Sequence, residues 1–498
     1  MRLAESVWSK LDAIWAEIAD IEHAEAVLGW DEQVNLPPGA ASGRGDQIAT
    51  LEGLVHARLT SPELADLLSR AEALFELSDE RRAWLRAARR RHERAVRVPA
   101  DLVVEMSRAA SAGFAVWQAA RQADDFARYA PALARNLELV RAYADALGGG
   151  SRYLALLRIH EPDADLGRVE QVFAELRTAL VPLVEQVCAA PPLSRAPFDQ
   201  PVEAARQLAV GRSAVTHFGY DWTRGREDLS AHPFSVSFGP DDCRITTRVD
   251  PDDFAAAFFA TLHEAGHALY EQGLPAAWGR SPLGQACSTA VHESQSRLWE
   301  NMIGRSLPFW EFFAPKLAAA IPDAFDRFGA EDLYRAANVV RRSPIRVEAD
   351  ELTYNLHVLL RFELERALLT EDLPVSELPS AWNTAMERLV GIRPASDREG
   401  VLQDVHWSQG SIGYFPTYTL GTVLAAQWLE VAERALPDLW AQVRAGDFAG
   451  LLGFLRREIH ARAATVTPDE LAHAVAGGPL DCGPYLRYLR AKYQALYA

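Results

Sequence analysis

A mainly α-helical fold is predicted for this 498-residue chain, and two observations carry the prediction. Apolar residues recur at three- and four-residue spacing along most of the length, while only one short segment shows the two-residue alternation of strands. With 49% hydrophobic residues a sizeable core is assured.

The helical pattern opens with "SVWSKLDAIWAEIADIEHAEAVLGW". This stretch is charged throughout and lacks the continuous apolar run of a signal peptide. No later window reaches the roughly 18 uninterrupted apolar residues of a membrane span. The run "RRAWLRAARRRHERAVR" at 81–97 is basic, but the chain as a whole carries a net charge of −17 and a pI near 5.3. Phosphate binding needs clustered cations on a net basic surface, so the run reads as a solvated helix face and no nucleic-acid partner is expected. Further helices follow in "PALARNLELVRAYADALGG" and "LTYNLHVLLRFELERALL", separated by Gly- and Pro-bearing breaks such as "LGGGSR", "APPLSRAPFDQP" and "FPTYTLG". Cys188, Cys243, Cys287 and Cys482 are far apart and form no CxxC, which points to a reducing, cytoplasmic location.

The exception to the helical pattern is "HPFSVSFGPDDCRITTRVD". Ser235 to Phe238 and Arg244 to Val249 alternate β-branched and aromatic residues around a Gly-Pro-Asp-Asp turn, and this predicts a hairpin.

Just beyond it stands "TLHEAGHALYE" at 261–271. On a helix His263 and His267 lie about 40° apart in azimuth and about 6 Å apart in rise, so both imidazoles can reach one metal ion. Glu264 leans over the same position, where a carboxylate can take a proton from metal-bound water. A catalytic metal needs a third protein ligand. The extended motif with a third histidine is excluded, because the chain has Tyr270 and Gly273 where Gly and His would stand. Glu271 is about 12 Å along the axis from His263, too far to share the ion. The next helix, "STAVHESQSRLWEN", offers His292, Glu293 and Glu300. If it runs back antiparallel, its early residues meet the site. That favours Glu293 over Glu300, and two histidines with one glutamate form a commoner set than three histidines.

Such a site hydrolyses peptides, and the rest of the cleft decides from which end. A carboxypeptidase needs a fixed cation for the terminal carboxylate, and Arg244 and Arg346 are candidates, each beside acidic residues that could instead make it a structural pair. "GVLQDVHWSQGSIGYFPTYTLG" gathers His406, Trp407, Tyr414 and Tyr418 among glycines. That density of ring donors suits either a group donating to an oxyanion or a buried aromatic corner.

In order along the chain, "WDEQVNLPPGAASGR", "HPF", "DCRIT", "HEAGH", "HESQS", "IRVEAD", "GVLQDVHW" and "GYFPTY" match the motifs of one family. The chain resembles the Taq-type thermostable metallocarboxypeptidases nearly end to end. The resemblance implies a single catalytic domain over 1–498: a mainly α, two-lobed subunit with a deep active-site groove and a small β-sheet beside the metal, usually a homodimer. It implies one divalent ion per subunit, zinc or sometimes cobalt, held by His263, His267 and Glu293, with Glu264 as catalytic acid/base. It further implies that the segments carrying His232 and Arg244 close one end of the groove, and that Arg346, His406 and Tyr414 line its substrate side. The expected reaction is hydrolysis of the C-terminal peptide bond. The alternatives are a deep-groove oligopeptidase cutting internal bonds and a non-catalytic helical scaffold that keeps its metal.

Overall fold

The computed structural model describes residues 2–74 and 76–498. Among these the chain forms 21 α-helices and one three-stranded sheet, as the apolar periodicity predicts. No helix of the described residues is long and apolar enough to cross a membrane. Two compact units are each assembled from three stretches of chain: residues 1–96, 195–337 and 428–479 in one, and 97–194, 338–427 and 480–498 in the other.

The first unit opens with a core in which Trp84 meets Trp8 and Trp15 edge-on, centroids 5.6 and 5.5 Å apart. Around them pack Leu11, Ile18, Leu64, Leu68 and Leu85, all buried. Trp84, Leu85 and Ala88 are the apolar stripe of the basic helix Asp79–Arg97. Its arginines turn to carboxylates: Arg81 to Asp12 at 2.9 Å, Arg89 to Glu72 at 2.6 Å, and Arg91 to Glu22. Pairing of this kind is how an arginine-rich face is accommodated in an acidic protein.

The predicted hairpin is present as β2 (Ser235–Ser237) and β3 (Cys243–Thr247), antiparallel with Val236 opposite Arg244. The turn between them has Gly239 at φ +107°, a left-handed value that glycine takes without strain. A third strand, β1 (Glu227–Leu229), pairs parallel to β3 and makes β3 the central strand. The sequence reading missed it: "EDL" carries two acidic residues, which strands disfavour.

The sheet braces the helix Phe254–Glu271. Thr247 Oγ1 donates to the Ala257 carbonyl at 3.3 Å, and Thr261 Oγ1 donates to Glu227 Oε1 at 3.1 Å. This helix starts at Asp253, whose carboxylate accepts from the Ala256 amide, and it is buried on nearly all sides, as expected of a core helix. Phe254, Phe258 and Phe259 pack into an aromatic cluster with Phe198, Phe309, Trp310 and Phe313.

In the second unit, the helix Tyr354–Thr370 forms the core and brings polar residues in with it. His357, Arg361 and Glu365 are each fully buried on it. Buried charge on a core helix needs partners: Arg361 finds Asp404, and Glu365 finds Trp407, the Gly413 amide and Tyr153.

Candidate metal centre

The second helix, Thr289–Arg297, is started by Ser288, whose hydroxyl accepts from the Val291 amide at 3.1 Å. It runs into a π-helical turn over Leu298–Ile303, a distortion frequent at functional sites. It passes the motif helix antiparallel, so that Glu271 meets His292 and His263 meets Glu300. Gly266 is the point of closest approach. A Cβ there would lie 2.6 Å from Ser296 Cα and 2.8 Å from the Gln295 carbonyl oxygen. The glycine inside the motif thus weakens the helix slightly but lets the two backbones touch. Gly266→Ala is expected to force the helices apart, at about 1–3 kcal/mol for an overpacked core contact. A lowered thermal midpoint together with weaker retention of a divalent metal is the expected readout.

That approach brings His263, His267 and Glu293 together, with one ligand atom from each within 4.8 Å of the others. Both imidazoles turn Nε2 inward: Glu293 Oε2 lies 3.2 Å from Nε2 of His267 and 3.7 Å from Nε2 of His263. Both Nδ1 atoms point outward to other partners, Glu300 Oε2 at 2.9 Å for His263 and His292 Nδ1 at 2.6 Å for His267. Two imidazole nitrogens and one carboxylate, each histidine oriented through its far nitrogen, are the donor set a divalent ion of the zinc type takes, and the residues fit such an ion.

Charge balance favours keeping Glu293 ionised. Burial alone would raise its carboxyl, but Arg297 at 2.6 Å, His263 and His267 hold it well below the usual range. Glu300 is likewise held down against burial, by His263, Arg305 and Arg297, with Arg305 Nη2 at 3.0 Å. For His263 burial is outweighed by Glu293 and Glu300, which raise its pKa, whereas burial drives His267 down to about 3 and keeps it neutral. Glu264, next to His263 and 7% exposed, differs from its neighbours. Burial pushes its carboxyl up to about 7, His263 opposes this, and Glu293 and Glu300 reinforce it. A carboxyl poised there can both take and return a proton near neutral pH.

The remaining predicted residues fall into two places. Arg244, on β3, is gripped by both oxygens of Asp242 at 2.7 and 2.8 Å and lies over the rings of Trp30 and Phe238. His232, also in the first unit, is exposed. Arg346, His406 and Tyr414 gather in the second unit. Arg346 donates to Asp404 Oδ1 at 2.8 and 3.0 Å and to the Tyr354 hydroxyl at 3.0 Å. Asp404 also takes the buried guanidinium of Arg361, Nε to Oδ2 at 2.6 Å. His406 stands 5.9 Å from Tyr414, ring to ring, with its Nε2 3.4 Å from the Tyr418 hydroxyl. Burial lowers His406 to about 4; Asp404 opposes the shift, while Arg346 and Arg361 add to it, so its imidazole is neutral at pH 7.

Several contributors escaped the sequence reading. Asp404 and Arg361 were not singled out, nor was Glu365, whose carboxylate accepts from Trp407 Nε1 at 2.9 Å, Tyr153 at 3.0 Å and the Gly413 amide at 3.1 Å. Glu365 thereby ties down both ends of the span between His406 and Tyr414. Its sequence signal was weak, since it is one of two carboxylates, with Glu363, in a helix that also carries His357, Arg361 and Arg366. Glu300 was weighed as a ligand and set aside; it is instead the partner of His263.

A profile of the carboxypeptidase Taq (M32) metallopeptidases matches residues 10–493. The chain is 39% identical to thermostable carboxypeptidase 1 of Thermus thermophilus over 99% of both proteins, and 37% identical to thermostable carboxypeptidase 1 of Pyrococcus furiosus over 98% of both. Its structure superposes on that of the M32 carboxypeptidase of Deinococcus radiodurans with a TM-score of 0.96 at 44% identity, covering 99% of each chain. The metallocarboxypeptidase 1 of Trypanosoma cruzi aligns with a TM-score of 0.93 at 32% identity, over 98% of this chain and 99% of the other.

Proposed function

The chain belongs to the carboxypeptidase Taq (M32) metallopeptidase family and is a peptide hydrolase of that kind, and from this premise we propose a division of labour among its residues. His263, His267 and Glu293 hold one divalent ion, zinc or alternatively cobalt, and Glu264 is the general acid/base. The observation that carries this reading is the convergence of two Nε2 atoms and a carboxylate beside a glutamate with a pKa of about 7. When bound, the ion polarises the scissile carbonyl and makes water a stronger acid. Glu264 takes a proton from the attacking water and delivers it to the leaving amine nitrogen, so that one water is consumed and one C-terminal amino acid released. His406, neutral and able to donate through one ring N–H, and the Tyr414 hydroxyl serve the developing oxyanion.

For the terminal carboxylate the charge count separates the two arginines. Arg244 is matched one to one by Asp242, whereas Arg346 shares the carboxylate of Asp404 with Arg361, which leaves a surplus of positive charge on the pair. That surplus favours Arg346 as the anchor, and Arg244 and His232 are assigned to shaping the substrate end. The three-stretch make-up of each unit supports one catalytic domain over 1–498. Four free cysteines support a cytoplasmic enzyme, the net charge of −17 supports peptides rather than nucleic acid as partners, and the family resemblance supports a homodimer.

A peptide digested in two forms tests the reading. C-terminal release is expected from the free acid, with most activity lost on the C-terminally amidated peptide and all of it lost after chelation until zinc or cobalt is restored. Equal rates on the acid and the amide would remove the carboxylate anchor from the mechanism.

A further inference from the structure

His292 and Glu271 lie just behind the metal position and have no part in the reaction described above. His292 Nδ1 is 2.6 Å from His267 Nδ1, the two rings 27° from coplanar, and His292 Nε2 is 2.8 Å from Glu271 Oε1. Glu271 and His267 are four residues apart on one helix, and His292 reaches across from the other to bridge them. His292 is set in place by the Ser288 cap of its own helix and by the Tyr270 ring, edge-on at 5.3 Å. The side chains of His292 and Glu271 are 25% and 15% exposed, which leaves water little room to compete for these bonds.

With an ion held between Glu293 and His267 Nε2, the chemistry of the remaining contacts fixes where the protons sit. A neutral imidazole has one N–H and one bare nitrogen, and an ionised carboxylate can only accept. Glu271 therefore takes the N–H of His292 Nε2, and this leaves His292 Nδ1 with a lone pair. The short contact between the two Nδ1 atoms then requires its proton from His267. With Nδ1 protonated, His267 presents a lone pair at Nε2, the nitrogen turned toward Glu293. The reverse arrangement would place the proton of neutral His267 on Nε2 and block it as a ligand.

We propose that Glu271, acting through His292, is a positioning residue that locks His267 in the Nδ1–H tautomer and so sets the affinity of the metal site. The inference rests on the assignment of His263, His267 and Glu293 as ligands. His263 gets the same service directly from Glu300, while His267 needs the bridge because its helix carries the carboxylate one turn onward.

Zinc affinity of the full-length protein, measured by competition with a chromogenic chelator, tests it. In Glu271→Gln the side-chain amide can donate to His292 Nε2 as well as accept from it, so both tautomers become available. The zinc Kd is expected to rise about 10- to 100-fold, the range carried by outer hydrogen-bond partners of metal-bound histidines. Glu271→Asp, which keeps a carboxylate, is expected to recover part of that loss, and His292→Gln to repeat it should the first variant fold poorly. Nitrogen-15 spectra of histidine-labelled, zinc-loaded wild type are expected to show His267 protonated at Nδ1. A purely structural role for Glu271 would lower the thermal midpoint of the zinc-free protein and leave the Kd alone. A Glu271→Gln Kd within about twofold of wild type, beside Glu293→Gln that has lost zinc, overturns the relay only. Unaltered zinc binding by Glu293→Gln overturns the ligand assignment and the relay together.

Discussion

Replacing Glu264 by glutamine is expected to cut kcat/KM for C-terminal release by about 10²–10⁴, the share of rate a positioned general acid/base carries, while zinc stays bound. Glutamine has nearly the same shape and fits the same buried place but cannot accept a proton from water at neutral pH. The proposed ligands His263, His267 and Glu293 keep their own partners, Glu300, His292 and Arg297, so the proposed metal hold does not depend on the Glu264 charge. Removing a buried carboxyl whose pKa has been pushed up to about 7 relieves a desolvation cost, and Glu264→Gln is expected to melt no lower than wild type. Loss of rate with gain or retention of stability is the signature of a group kept for chemistry. Near wild-type release of C-terminal residues by a zinc-loaded Glu264→Gln protein would refute the assignment.

The parts of this site that were legible in the sequence are those that one helix fixes by itself. His263, Glu264 and His267 share a face because the helical period puts them there, whatever the rest of the chain does. Glu293 was reachable with one added assumption, that the next helix turns back, and the antiparallel contact of Gly266 with Ser296 shows that it does. What lay beyond reach depends on side chains from different elements meeting at one point. Glu271 had no visible task until His292 crossed over to it, and Asp404 had none until Arg346 and Arg361 arrived from segments 43 to 58 residues away. The strand β1 was hidden for a related reason: Glu227 is an unfavourable strand residue in isolation, and it is tolerated because Arg212 and Thr261 bind its carboxylate. The division into two units, each built from three stretches, leaves an uneven mark in composition: the crossing at 194/195 falls inside the Pro-bearing break "APPLSRAPFDQP", whereas those at 96/97 and 427/428 fall within helices and carry no such signal.

Asp404→Asn is expected to be the most destabilising single substitution in the second unit. Arg346 and Arg361 are 6% and 0% exposed, and both guanidiniums lean on this one carboxylate. An asparagine keeps the volume and one acceptor oxygen but leaves two buried cations without a counter-charge. Breaking a buried ion pair in this way costs about 3–5 kcal/mol, more than the pair itself contributes relative to a well-packed apolar core. Burial by itself would raise the Asp404 carboxyl, but Arg346, Arg361 and His406 hold it well below the ordinary carboxylate range. A carboxyl lowered in the folded state adds stability that is fully present above the unfolded value of about 3.9 and is lost as the pH falls through the folded one. The denaturation midpoints of wild type and Asp404→Asn should therefore differ by a constant amount across neutral pH and converge only on acidification below about 4. Adding Arg361→Met to Asp404→Asn removes one stranded cation and is expected to restore part of the loss. Because the same carboxylate orients Arg346, the single variant should also raise KM for peptides with a free C-terminus more than it lowers kcat. Equal midpoints at neutral pH would mean that water or other groups already neutralise the two arginines. The surplus charge assigned to the substrate carboxylate would then have to come from elsewhere.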